Sequence, residues 1–400
     1  MKSLKKVIIF IFFMFSTVFA DLNPKYTDID AKYKALTPRD DPNIERRPLH
    51  LLPGLQLYSL GYAQADFMTF GNKYLRDSAN WRNGRILLDF DFVKKFDFLF
   101  GYNFAVRRYN ELMFRFNVKN LTIDIGQMQP VFALVDAVAA PYFSFLEIPL
   151  VINAFRPRFR VGTQWTYHNA PINFSLGIYH PRIDYPPPGE NGAVVANFVY
   201  APFNTIRHVL LFNTAAMYEA VSSNPKLNPA SFSPPPLTLP YDQSTLIAVS
   251  VPNSKNYVVS HNEVATTLGS MTLIGDYSFI RVNRVAGYPS ANYRGWFILF
   301  NYFFTGESRV FSLMNASYLA ITPIRHKYGA IELSLIYDYL SLMSANIVGG
   351  RETDYGISIN WYPVPHANFR LQYVRAMAEP SNIGSNQFAN IVALRMEIIW

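Results

Sequence analysis

From Leu55 to the last residue, apolar and polar side chains alternate with a period of two, interrupted by short turn-forming stretches. Ile86, Leu88, Phe90 and Phe92 alternate with Leu87, Asp89 and Asp91. A second run sets Phe98, Phe100, Tyr102, Phe104 and Val106 against Gly101, Asn103, Ala105 and Arg107. Leu112, Phe114, Phe116 and Val118 follow against Met113, Arg115 and Asn117, and Lys119-Asn120 then turns the chain into Leu121, Ile123 and Ile125. The pattern returns over 172–178, 331–339, 357–361 and 392–400. Successive strand side chains point to opposite faces, so each run predicts a strand with one apolar and one polar face.

Two architectures accept such strands. A soluble sandwich turns the apolar face inward, whereas a transmembrane barrel turns it outward to lipid and encloses a polar lumen. Three features select the barrel. The apolar faces carry Phe and Tyr near many strand ends, as interfacial girdles require. Short spacers (Lys119-Asn120, Asn169-Ala170-Pro171, Leu268-Gly269-Ser270) contrast with long ones (181–192, 219–243), matching short periplasmic turns and long external loops. The chain also ends on an alternating strand closed by Trp400, the kind of signal read by the barrel assembly machinery. At roughly 20 to 25 residues per strand and connection, the length implies about 16 strands. A barrel of that size retains an aqueous channel. The predicted fold class is therefore all-β, a transmembrane antiparallel β-barrel of about 16 strands.

Composition supports this reading. Half of the residues are hydrophobic and 16% are charged, which excludes disorder. Beyond the N-terminus no apolar run is long enough to cross a bilayer as a helix. Residues 1–20 have the form of a secretory signal peptide: Lys2, Lys5 and Lys6, an apolar run from Val7 to Phe15, and Val18-Phe19-Ala20 before the cut. Three parts follow: 1–20, a leader; 21–50, a polar lead-in with balanced charge; and 51–400, the barrel. The formal net charge is +8, of which the leader takes three lysines. There is no cysteine, so disulfides do not support the exported fold.

The alternation lapses longest between Gln127 and Arg160. A gap of that length in a compact barrel marks a functional segment. Folded into the lumen, it forms an inward constriction loop whose basic end, Arg156, Arg158 and Arg160, is the candidate anion-binding constriction. The alternative leaves these three arginines solvated on an external loop or rim. By parity Arg107, Arg115, Arg370 and Arg395 are candidate pore-lining cations, mixed with Asp89, Asp91, Glu332 and Asp338. The result is a modest positive excess and a weak preference for anions. Pro234-Pro235-Pro236 and Pro186-Pro187-Pro188 interrupt strand pairing and mark stiff external loops. The seven histidines show no metal-ligand spacing with one another, and no nucleophile elbow, HExxH or P-loop occurs. The sequence thus predicts no enzyme, cofactor, metal or nucleic-acid partner.

Several segments resemble the phosphate-selective porin O and P family. Phe303-Phe304-Thr305-Gly306-Glu307-Ser308-Arg309 is similar to its LTGE-x-R strand end, and Gly329-Ala330-Ile331-Glu332-Leu333 to its GA-x-EL. Gly349-Gly350 with Gly356-Ile357-Ser358-Ile359-Asn360-Trp361-Tyr362, Arg370-Leu371-Gln372-Tyr373-Val374 and Gly126-Gln127-Met128-Gln129-Pro130 extend the likeness. So do Ser144-Phe145-Leu146-Glu147 and Asn153-Ala154-Phe155-Arg156-Pro157. The resemblance runs over about 120–400 and is strongest in the C-terminal third. It implies a trimeric porin of the Gram-negative outer membrane, an inward third loop and a basic lumen. It also implies outer-membrane lipids and small anions such as phosphate as partners. Gln129 stands where members of the family often have a lysine, so phosphate specificity does not carry over intact. The competing expectation is a non-conducting barrel that serves as an adhesin or structural surface protein.

Overall fold

The computed structural model describes residues 49–400 except 73–74, 93–95, 139, 185–189, 222–228, 241–243, 322–327, 345–346 and 381–385. The predicted leader, and the lead-in up to residue 48, lie outside the described residues.

The alternating segments become strands. A short strand β1 (Leu49–Leu52) straddles the predicted boundary between lead-in and barrel and pairs with the start of β2 (Leu55–Phe70). Next come β3 (Ser78–Asp91), β4 (Asp97–Asn103), β5 (Arg108–Val118), β6 (Leu121–Met128), β7 (Arg160–Asn169) and β8 (Ile172–His180). They are followed by β9 (Glu190–Asn204), β10 (His208–Val221), the short pair β11 (Ala230–Phe232) and β12 (Val249–Val251), then β13 (Ser254–Leu268), β14 (Met271–Arg284) and β15 (Ala291–Phe303). A second short pair, β16 (Phe311–Ser312) and β17 (Ser317–Tyr318), precedes β18 (Ala330–Ser344), β19 (Ile347–Val364), β20 (Ala367–Ala378) and β21 (Gln387–Ile399).

Without β1 and the two short pairs, sixteen strands form one antiparallel sheet that closes on itself between β2 and β21. The closing register runs from Tyr62↔Ile399 to Phe70↔Ile391. Trp400 completes it: its N–H bonds the Gly61 carbonyl at 2.9 Å and its carbonyl accepts the Gly61 N–H at 2.8 Å. The last residue is therefore hydrogen-bonded into the seam. Closure removes every sheet edge, which is what a strand structure in lipid requires.

Alternation of burial confirms the two faces. On β21 Val392, Met396 and Ile398 are exposed, whereas Ile391, Ala393 and Arg395 are buried. Large apolar side chains such as Phe174, Ile178, Phe212, Ile298, Ile357 and Trp361 face outward. No described helix is long and apolar enough to cross a membrane, so the strands do the crossing.

One rim carries mostly short connections, 119–120, 170–171, 205–207, 269–270 and 365–366. The other carries most of the long ones. Three expectations of boundary differ from the structure, the first being the spacer read over 181–192, since β9 already begins at Glu190. The strand read over 98–107 ends at Asn103; Phe104 to Arg107 form the turn, with Arg107 at φ +54°. The long loop read from Glu219 begins later, because β10 continues to Val221 and buries Glu219 completely.

The lumen is extensively occupied. The segment between β6 and β7 folds inside and carries two short helices, α1 (Leu134–Ala137) and α2 (Leu150–Phe155), with Phe145, Leu150 and Val151 fully buried. We refer to this segment as loop 3. The proline-rich segment between β10 and β13 enters as well: Pro234, Pro235, Pro236 and Leu237 are buried rather than displayed as an external loop. A third entry comes from the opposite rim, where the connection between β15 and β18 is long and its hairpin β16–β17 points inward and packs on α1. Asn173 on β8 donates to the Leu313 and Met314 carbonyls at 2.7 and 3.1 Å and holds that hairpin to the far wall.

Candidate ion pathway

Loop 3 has few internal backbone hydrogen bonds, so its polar groups need partners. The polar wall supplies them. Two carboxylates accept N–H groups at the helix starts: Glu263 from Leu134 at 2.7 Å, and Asp338 from Leu150 at 2.6 Å. Gln372 accepts the Leu146 N–H at 2.8 Å and donates to the Leu237 carbonyl at 2.9 Å, joining loop 3 to the proline-rich segment.

Arginines bind the carbonyls. Arg395 chelates Asp66 at 2.6 Å through both Nε and a terminal nitrogen, and donates to Leu146 O at 2.9 Å. Arg370 donates to Asn360 Oδ1 at 2.7 Å and to Pro141 O at 3.2 Å. Arg309, on the inward connection, grips Glu332 with two 2.8 Å bonds and reaches Tyr142 O at 2.9 Å and Ser144 Oγ at 2.7 Å. Loop 3 is therefore held from both rims.

Two glycines make the close approach possible. A Cβ on Gly295 would lie 2.8 Å from Val151 Cβ, and one on Gly356 would lie 2.7 Å from the Phe145 ring. Both wall positions have room only for hydrogen.

His261 on β13 lies between Glu263 and Asp276, each ring nitrogen 2.9 Å from a carboxylate oxygen, and stacks on Phe132 of loop 3. Among the described residues this is the group whose ligand atoms are close enough together for a metal, all within 4.8 Å. The sequence does not reveal it, because Asp276 comes from the neighbouring strand. Glu263 also serves loop 3, so the group acts as an anchor.

On the other side of loop 3 a cavity of ≈ 520 Å³ remains between the loop and the wall of β2–β5. Six arginines and three carboxylates border it. Arg82 and Arg85 come from β3, Arg108 and Glu111 from β5, Arg156, Asp136 and Glu147 from loop 3, Arg182 from the segment after β8, and Arg395 from β21. Arg82 crosses to Glu147 at 2.7 Å, Arg85 pairs with Glu111, and Arg156 pairs with Asp136. Arg182 donates to Asp184 at 2.7 Å and to Tyr109 O at 2.7 Å, while Tyr109 N–H donates to Asp184 at 2.8 Å. Burial favours the neutral acid at Asp184, but Arg182 and the Tyr109 N–H outweigh it and hold the carboxyl below its ordinary range. Asn83 and Asn103 line the same wall and link to each other and to Gln64 through side-chain amides.

The structure divides the seven arginines singled out in the sequence. Arg156 borders the cavity, Arg158 is exposed, and Arg160 is buried in β7 with Glu190 and Glu219 at 2.8 and 2.7 Å. The three differ in exposure and in partners. Arg370 and Arg395 face inward as parity predicted, and both bind loop 3. Arg115 is inward on β5 and pairs with Asp124 at 2.7 Å. Arg107 is exposed in its turn.

Four cavity arginines went unread: Arg82, Arg85, Arg108 and Arg182. Extending the alternation of 86–92 back by one residue reaches Arg85. Arg82 was hidden by a β-bulge, where the register shifts between Gln64↔Asn83 and Ala65↔Trp81 and re-aims one side chain.

A closed sixteen-stranded antiparallel barrel with an inward third loop beside a charged cavity is the architecture of an outer-membrane porin. The family model for phosphate-selective porin O and P matches residues 57–398, and the chain belongs to that family. Solved structures with the same fold include the anion-selective porin from Comamonas acidovorans, with TM-score 0.57, 8% identity, and coverage of 86% of this chain and 100% of that one. The outer membrane channel DcaP of Acinetobacter baumannii aligns at TM-score 0.56 and 11% identity, covering 87% and 98%. OmpT, an outer membrane protein of Vibrio cholerae, aligns at 0.57 and 9%, again covering 87% and 98%. An uncharacterized protein of Caulobacter vibrioides is 28% identical over 112 residues, 26% of this chain, and the match spans 22% of that relative's length. Family and fold are those of a Gram-negative outer-membrane channel.

Proposed function

We propose that the protein is a passive porin in which small hydrophilic solutes, anions preferred, pass between loop 3 and the β2–β5 wall. The observation that carries this reading is the excess of guanidinium groups around the ≈ 520 Å³ cavity, six against three carboxylates. Fixed positive charge in a narrow, partly desolvated passage favours anions. The same pairing limits the preference. Phosphate entering the passage competes with Glu147, Glu111 and Asp136 for guanidinium donors, so tight phosphate selectivity is not expected.

The native form is a homotrimer in outer-membrane lipid, exported with cleavage of the leader after Ala20 and inserted through recognition of the closing strand at Trp400. The trimer form of the Vibrio cholerae protein OmpT is consistent with that assembly.

Replacing Arg82, Arg85 and Arg156 with glutamine tests the reading. The expected outcome is a channel that still conducts with much of its anion preference lost. Unchanged ion selectivity would place the route elsewhere, and a wild-type protein that does not conduct would support the plugged surface barrel.

A further inference from the structure

Many arginines of the lumen and loops are paired with a carboxylate. Arg82, Arg85, Arg115, Arg156, Arg160, Arg182, Arg309 and Arg395 each have a carboxylate partner. Of the described arginines without a carboxylate partner, four lie on the outward face of the barrel strands. Arg281 on β14, Arg294 on β15, Arg351 on β19 and Arg375 on β20 are exposed, at positions whose strand neighbours point inward and are buried.

Their heights agree. Arg281 lies three residues before the end of β14, Arg294 three after the start of β15, Arg351 four after the start of β19 and Arg375 three before the end of β20. All these strand ends belong to the rim of the long loops, so one belt of positive charge runs across neighbouring strands at one level. Register tightens the belt at its centre. Arg294 pairs across the sheet with Ser341 of β18, and Ser341 pairs on its other side with Arg351. Two guanidinium groups thus straddle one buried serine, and the three residues line an outward groove of ≈ 380 Å³ with Phe279 and Tyr339.

The surface below the belt has the composition of a membrane interface. Trp296 stacks on Tyr337 at 4.8 Å, and Tyr337 meets Tyr355 edge-on at 5.0 Å. Ile298, Leu335 and Ile357 follow towards the barrel's mid-height, exposed and apolar. Aromatic residues mark the headgroup level and aliphatic ones the hydrocarbon. Four cations without a carboxylate partner among the described residues, near an aromatic girdle, lie where lipid phosphates reside, and charge at that level favours counter-charge.

We infer that the groove between Arg294 and Arg351 is a binding site for the phosphate of an anionic outer-leaflet glycolipid. The two guanidinium forks and the Ser341 hydroxyl take the headgroup, Arg281 and Arg375 extend the contact, and the acyl chains lie on the aromatic and aliphatic surface below. Guanidinium groups suit phosphate because the fork offers paired donors. The site is separate from the proposed pathway and does not depend on it.

The test titrates the folded full chain in detergent with bisphosphorylated lipid A, with dephosphorylated lipid A and with inorganic phosphate, and counts adducts by native mass spectrometry. Bisphosphorylated lipid should bind selectively. R294A/R351A should weaken it about 25-fold, from roughly fivefold per surface cation, and R294K/R351K should retain much of the affinity because the charge is kept. Channel conductance should be unchanged in both variants, because neither position borders the passage. Equal binding of dephosphorylated lipid, or R294A/R351A binding like the parent, would overturn the site. Inorganic phosphate binding as tightly as the lipid would reduce it to an ion site. Dissociation of an oligomer by R294A/R351A, without loss of lipid, would show that a second copy covers the groove.

Discussion

Replacing Arg395 with methionine should destabilise the barrel severely and free loop 3. Arg395 and Asp66 are 2% and 1% exposed at the closing seam, joined by two 2.6 Å bonds, and the same guanidinium satisfies Leu146 O. Removing it strands a buried carboxylate, which costs about 3–5 kcal/mol. The orphaned carbonyl adds about 1–3 kcal/mol if water does not reach it. Replacing Asp66 with asparagine in the same molecule removes the stranded charge, and the double variant should recover most of the loss. The assay is equilibrium urea unfolding of the refolded protein in lipid vesicles, followed by tryptophan fluorescence, with single-channel recordings of the same preparations. R395M should also show larger current fluctuations, since Leu146 is one of the points where loop 3 meets the wall. A loss below about 1 kcal/mol, or a double variant no better than the single, would refute the view that this pair bears the loop.

Three further outcomes follow from the same geometry. R309M cuts the link between the inward connection, Glu332 and loop 3, so single-channel conductance should rise as the two lumen segments separate; an unchanged value would mean that other contacts suffice. G356V drives a side chain into the space of Phe145 and Leu237, so the barrel should still migrate as a heat-modifiable band while its conductance changes; an identical channel would show that the loop yields freely. Truncation of Trp400 removes two seam hydrogen bonds and should slow insertion into vesicles, measured by protease protection.

The strands were legible because each has one face in lipid and one in the lumen, which fixes period-two alternation. Where that constraint is absent, legibility ends. The proline-rich segment looks like an external loop, yet Pro234–Pro236 are as apolar as a buried filler needs to be, and only its Leu237 contacts with Gln372 and Asp354 decide the matter. The inward hairpin β16–β17 carries no periodicity, and it lies on the rim where short turns are the rule. Parity placed Arg370 and Arg395 inside correctly. It did not say whether they meet solute or loop 3, because that depends on which wall the loop covers. Arg160 read as a constriction residue since Glu190 and Glu219, its neutralising partners, lie on other strands. Arg82 required a bulge that period-two reasoning does not anticipate.

The most direct test of the proposed pathway is the reversal potential of the refolded protein in a planar bilayer under a KCl gradient, compared with R82Q/R85Q/R156Q. The account predicts an anion-side potential for the parent and a clear move towards zero for the variant. A parent with no preference, or a variant indistinguishable from it, would contradict the assignment of that passage.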